Sequence, residues 1–227
     1  NIYVRNQSAA REREGLLAYA EEHGSVGETG VVQENGCRYY FSIKSGQKTG
    51  WFYDQRRNRA RALELLRGGD VLDLFSYVGG FGLLLASRAA VTCVDSSAGA
   101  LENARRSAVE QNLKLNAVVA DVSEYLSAEG PAFDSIILDP PALIKRKKDF
   151  AAGYRKYVAL NAQALKRLRS GGFFYSASCS SYLTGLDLRQ VLLEAAQRSA
   201  CQLQILEATG AGEDHPTHPA LAETVYL

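Results

Sequence analysis

At 227 residues the chain is long enough for one doubly wound α/β domain with a small appendage. Hydrophobic residues make up 46% and charged residues 22%, the balance of a soluble globular fold, and no apolar run approaches the ~18 residues of a membrane span. A formal net charge of +1 does not mark a nucleic-acid binder by bulk charge alone.

Residues 7–22 (QSAAREREGLLAYAEE) read as a charged helix or an extended arm. GVVQENGCRYYFSIKSG follows, two apolar and aromatic runs around Glu34-Asn35-Gly36. Asn-Gly tolerates positive φ at both positions and is a strong hairpin signal. Residues 1–50 are therefore expected to form a small β-rich appendage, and residues 51–227 the main domain. From there strands and helices alternate. A helix carrying Leu63, Leu65 and Leu66 ends at Gly68-Gly69, and VLDLF (71–75) reads as a buried strand. Helix-like residues run from Phe81 to Ala89, VTCVD (91–95) is a second buried strand, and residues 97–112 place Ala100, Leu101, Ala104 and Ala108 at helical spacing. AVVAD (117–121), a short helix, SIILD (135–139), a long helix over about 150–169 and FFYSASC (173–179) continue the pattern. A helix over 186–199, the run LQILEA and the terminal TVYL complete the count. The expectation is a Rossmann-like, mostly parallel seven-stranded sheet covered on both faces.

The four cysteines (Cys37, Cys93, Cys179, Cys201) form no CxxC pair, and there are three histidines. Neither a disulfide framework nor a metal site has support, and a reducing, cytoplasmic setting is expected. Nothing at the start resembles a signal peptide. The absence of methionine and the ending inside ETVYL predict that segments of a longer protein are missing at both ends.

Open α/β sheets bind ligands at the carboxyl ends of their strands. Those ends carry Asp73 with the loop SYVGGFG, then Asp95, Asp121, Asp139-Pro140-Pro141, and Ser178-Cys179-Ser180. Gly79, Gly80 and Gly82 let backbone approach a ligand closely, although GGFG does not match the dinucleotide fingerprint. Asp95 is placed to accept from both hydroxyls of a ribose, or else to cap the helix that begins near Ser96 or Ser97. Asp121 is placed to read an adenine amino group, or else to be an N-cap. The Asp-Pro-Pro turn has two locked φ angles, which hold a carboxylate stiffly beside a planar substrate or make a rigid connector. Cys93 sits within a strand and reads as a small buried hydrophobe. Cys179 stands at a strand end, where a nearby cation would favour its thiolate.

VLDLFSYVGGFGL, VDSS, ILDPPALIKRKKDF and SASCS together resemble the RlmI-type class I methyltransferases, which make 5-methylcytidine in large-subunit (23S) ribosomal RNA. GQKTGWFYDQRRNR (46–59) and DHPTHPALAETVYL (214–227) match the same family. The first residues resemble the family's middle β-rich segment, and its usual N-terminal RNA-binding PUA domain is not among these residues. The resemblance implies S-adenosylmethionine (SAM) as cofactor and ribosomal RNA as substrate, with no metal and no membrane, and leaves the oligomeric state open, a homodimer being one option. It implies that Phe75, Ser76, Tyr77 and Gly79 hold SAM, that Asp95, with Ser96 beside it, takes the ribose and Asp121 the adenine, and that Thr49, Gln55 and Arg56 close over it. Cys179 matches the catalytic cysteine and Asp139 its partner carboxylate, also beside the cofactor. Pro140, Pro141, Lys145, Lys147 and Lys148 would face RNA, and within this frame the arginine run from Arg56 to Arg61 becomes a second candidate for phosphate contacts. Two rivals stay open: a guanine-nitrogen RNA methyltransferase on the same scaffold, and a non-catalytic RNA-binding or ribosome-assembly factor. A nicotinamide oxidoreductase is disfavoured by the glycine spacing.

Overall fold

A computed structural model describes residues 1–7, 11, 14–47, 49–66 and 68–215. The first 42 residues hold two antiparallel hairpins, β1 (Ile2–Asn6) with β2 (Tyr19–His23), and β3 (Thr29–Glu34) with β4 (Cys37–Ser42). The second turns at Asn35-Gly36, both at positive φ, as the dipeptide predicts. The first corrects an expectation. Residues 19–22 of the predicted helix or arm belong to β2, whose five residues are all exposed, so no apolar periodicity marks the strand.

The main sheet has the order β7-β6-β5-β8-β9, all parallel. Its strands are β5 (Asp70–Leu74), β6 (Ala90–Asp95), β7 (Leu115–Val119), β8 (Phe133–Leu138) and β9 (Leu168–Ser176). Between them run α1 (Arg56–Leu65, before β5), α2 (Gly82–Leu85), α3 (Ala98–Glu110), α4 (Val122–Ser127) and α5 (Phe150–Lys166), with α6 (Gly185–Arg198) last. Alternation along each strand separates two cores. Leu72, Leu74, Val94, Ile136 and Leu138 pack against Val122, Leu126, Leu160 and Ala164 on one face. Val71, Val91, Cys93 and Ile137 pack against Ala62, Leu66, Phe81, Leu85 and Leu101 on the other. Among the described residues the main sheet thus has five strands where seven were expected. Residues 203–208, the run LQILEA, form no strand, and TVYL lies outside the described residues.

The second hairpin is riveted to α1 by charge. Arg59 Nε lies 2.7 Å from Glu34 Oε1, with both side chains almost fully buried. Trp51 Nε1 donates to Glu34 Oε2 at 3.1 Å, and the guanidinium lies 4.3 Å from the Trp51 ring centroid. A buried ion pair needs such extra partners to offset its desolvation. Order reverses between β5 and β8, so their carboxyl ends form the crevice where such sheets take ligands.

Candidate active site

The loop after β5 has a backbone that a sequence pattern does not reveal. Phe75 and Tyr77 adopt φ of 60° and 51°, and Gly79 77°. A left-handed non-glycine residue costs about 1–3 kcal/mol and persists only when its surroundings hold it. Here Ser76 N donates to Val94 O at 3.2 Å, Tyr77 N to Asp95 Oδ2 at 2.9 Å, and Gly79 N to Ser76 O at 2.8 Å. The Tyr77 hydroxyl accepts from Gln47 N at 3.1 Å, and its ring meets Phe52 edge-on at 5.8 Å. The segment bearing exposed Thr49 is thereby tied down over the loop.

Asp95 is buried, and its second oxygen accepts from Ser97 N at 2.8 Å. It therefore laces the β5 and β6 loops together, while the cap of α3 is Ser97, which accepts from Ala100 N; Ser96 is exposed beside it. Asp121 does cap α4: Oδ1 accepts from Ser123 N at 2.8 Å and Glu124 N at 3.1 Å. Beneath the loop, Asp73 Oδ2 accepts from Gly82 N at 2.7 Å. Burial pushes the Asp73 carboxyl up to about 7; the Gly82 bond opposes this, and the Asp139 and Asp95 carboxylates add to it. A side chain at Gly82 would collide with Cys93 Sγ. Burial also drives the Cys93 thiol well above its ordinary range, which suits an inert core group.

The ends of β8 and β9 are built differently. Pro140 is buried, Pro141 exposed and Asp139 half-buried. Gln55, buried at the start of α1, donates from Nε2 to Asp139 Oδ2 at 3.2 Å. Past β9 the side chains alternate inward and outward. Ser178 and Ser180 are buried against Tyr157, with Ser178 Oγ 2.9 Å and Ser180 Oγ 2.8 Å from its hydroxyl. Ser180 Oγ also accepts from Ile144 N at 3.1 Å. Cys179 between them is exposed, its Sγ 3.7 Å from Pro140 O. The two predicted chemical residues thus lie on adjacent turns, and the flanking serines are structural. Tyr157 and Asn58 take part in these networks without a sequence signal of their own, except that Asn58 falls inside the 46–59 motif.

The basic runs part company. Arg56 pairs with Asp214 at 3.3 Å and Glu34 at 3.5 Å, Arg57 with Glu213 at 2.6 Å, and Arg61 with Glu64 and Glu207, both at 2.7 Å. Arg59 is buried, and the three partly exposed arginines of that run each have an acidic partner within the chain. Lys145, Lys147 and Lys148 are exposed, while Arg146 pairs with Asp149.

One polar atom points to a ligand. Asp54 is 6% exposed, and its Oδ2 has no hydrogen-bond partner among the described residues. It sits in the single turn Tyr53–Gln55, next to the residue that touches Asp139. A buried carboxylate oxygen without a donor is costly unless a cationic or N–H-bearing group supplies one. SAM carries both a sulfonium and an ammonium, so the residues fit it. Among the described residues no His/Cys/Asp/Glu group is arranged to hold a metal, and no helix is long and apolar enough to cross a membrane.

Strand order, the glycine loop after β5, the acidic ends of β6 and β7 and the Asp-Pro-Pro turn define a Rossmann-like class I methyltransferase fold. The chain belongs to the S-adenosylmethionine-dependent methyltransferase family, whose model matches residues 11–225, and its cofactor is SAM. It is similar to the "Ribosomal RNA large subunit methyltransferase" of Deinococcus radiodurans, at 38% identity over 94% of this chain and 53% of that protein. The "Ribosomal RNA large subunit methyltransferase I" of Shewanella frigidimarina is 34% identical over 100% of this chain and 59% of that one, which supports membership of the RlmI type. The chain therefore spans a little over half the length of these relatives. A solved structure of a candidate methyltransferase complexed with SAH shares the fold, with a TM-score of 0.74 at 23% identity over 91% of this chain and 56% of that one.

Proposed function

We propose that the chain transfers the methyl group of SAM to carbon 5 of a cytosine in large-subunit ribosomal RNA, through a covalent adduct on Cys179. The observation that carries this is the exposed Cys179 thiol, held outward by two buried serines on the turn beside Asp139. Carbon 5 of cytosine is a poor nucleophile until a thiolate adds to carbon 6 and leaves an enamine-like carbon 5. Cys179 forms that bond, and Asp139 binds the cytosine edge and stabilises the charge that builds on the ring. When the methyl group is delivered to carbon 5, a base removes the carbon-5 proton and the Cys179 thiolate is expelled. That base is Asp139, a water, or a histidine; His215 is exposed 3.1 Å from Asp214, and His218 lies outside the described residues.

In this reading Phe75, Ser76, Tyr77 and Gly79 hold SAM, Asp95 and Ser96 meet the ribose, and Asp121 the adenine. Thr49, Gln55, Arg56 and Asp139 close round the rest. Pro140 and Pro141 face the base, and Lys145, Lys147 and Lys148 the RNA backbone. Residues 1–50 act as the family's middle segment and 51–227 as the methyltransferase domain of a cytoplasmic enzyme. A base buried in a stack cannot reach such a cleft, which favours a loop or an extruded nucleotide.

The test incubates wild type and Cys179→Ala with methyl-labelled SAM and unmodified large-subunit ribosomal RNA. Label in 5-methylcytidine from the wild type alone is expected, with SAM binding retained by the variant. Turnover by Cys179→Ala would sink the covalent scheme, and label in a guanosine would favour the rival reading.

A further inference from the structure

The side-chain amide of Gln55 is locked at every polar atom. Its Oε1 accepts from Asn58 Nδ2 at 2.7 Å and from the Tyr175 hydroxyl at 3.1 Å, which leaves Nε2 to donate to Asp139 Oδ2 at 3.2 Å. A flipped amide would set two NH2 groups against each other at Asn58 and two acceptors against each other at Asp139. Asn58 is itself 3% exposed and held in one orientation. Its Oδ1 accepts from Thr209 Oγ1 at 2.9 Å, and its Nδ2 also reaches Gly210 O at 3.3 Å. Thr209 and Gly210 lie in the irregular segment after α6, which leads on to Glu213 and Asp214, the partners of Arg57 and Arg56. A continuous chain of hydrogen bonds therefore runs from that segment through Asn58 and Gln55 to the carboxylate beside Cys179.

We propose that Asn58 and Tyr175 are positioning residues that fix the Gln55 amide, so that Asp139 keeps one orientation at the reacting base. Neither residue touches substrate in this scheme; both act through Gln55. The proposal rests on the assignment of Asp139 to the reaction. Its consequence is that the seating of residues 209–210 is felt at the Asp-Pro-Pro turn, more than 60 positions away in sequence.

The test uses the full chain labelled with 15N and reads the Gln55 side-chain amide, assigned by its loss in Gln55→Glu. In the wild type its Nε2 protons should be shifted and protected from exchange by the carboxylate. In Asn58→Ala/Tyr175→Phe the protection should fall at least about tenfold while the backbone amides of β5, β6 and β8 keep their shifts. Thr209→Val, a milder change, should lower it about twofold to threefold and covers the case in which the double variant fails to fold. Methyl transfer to RNA should follow, with kcat down about tenfold in the double variant and KM for RNA within about twofold. An unchanged Gln55 amide in the folded variants would overturn the relay. So would a loss confined to KM. The amide reading needs no turnover, so it separates from the functional assignment. If Asp139→Asn still methylates at the wild-type rate, that assignment fails whatever the amide shows.

Discussion

The two halves of the cleft are secured by different means. At the ends of β6 and β7, Asp95 and Asp121 are satisfied by main-chain N–H groups from Tyr77, Ser97, Ser123 and Glu124. At the ends of β8 and β9, Asp139 meets the side chain of Gln55, itself set by Asn58 and Tyr175, and the serines on either side of Cys179 are set by the Tyr157 hydroxyl. Main-chain donors survive the substitution of any neighbour, whereas a side-chain lattice fails with one atom. In the proposed reading, the half assigned to the cofactor should be most sensitive at its own carboxylates, and the half assigned to the chemistry should also be sensitive at residues that never meet the substrate.

The largest expected effect is on the first half. Asp95→Ala removes two charge-assisted bonds, each worth about 1.5–3 kcal/mol, and releases the left-handed Tyr77. SAM binding measured by calorimetry should weaken about 100-fold or more; a change under about threefold would mean that the loop holds itself. Tyr157→Phe probes the other half. It strips a partner from two buried hydroxyls at a cost of about 1–3 kcal/mol. Methyl transfer should drop about tenfold with SAM affinity unchanged, and an equal loss of both would erase the contrast between the halves. Asp121→Ala should cost about 1 kcal/mol in denaturant melts, the usual value of a cap, and reduce SAM affinity only a few-fold.

A separate test is of pH. The Asp73 carboxyl is raised to about 7 from an ordinary 3.8, so the fold favours its protonated form. Its contribution to stability is complete below about pH 4, is lost as pH rises to about 7, and is flat beyond. Asp73→Asn should lack that decline when melts are compared across the range. A parallel pair of curves would mean that Asp73 is ionised throughout.

Much of this was legible in sequence because its signals are local. Continuous apolar runs gave β5, β6 and β8 within a residue or two, and the catalytic candidates stand at strand ends inside long motifs. What escaped is non-local or unpatterned. β2 is exposed along its whole length, so nothing separates it from an arm. Asn58 and Tyr175 converge on Gln55 from elements 117 positions apart (175 − 58), and no spacing rule joins them. No spacing rule pairs the arginines of α1 with the acidic residues 207–214 that lie against them. The positive φ at Phe75 and Tyr77 has no sequence signal, because neither residue type favours that region.

The Glu34–Arg59–Trp51 cluster sets a limit on how this chain can be divided. A fragment starting at residue 51 would keep Arg59 and Trp51 but lose both Glu34 and the Tyr39 ring that packs on Trp51, leaving the cation unpaired and an apolar face uncovered. Truncating Glu34 alone, with Arg59 still buried, should cost about 3–5 kcal/mol, a large share of a domain stability of about 5–15 kcal/mol. Hairpin and sheet are thus heritable only as a unit, and any recombination that exchanged one for a distant counterpart would have to bring the matching charge with it.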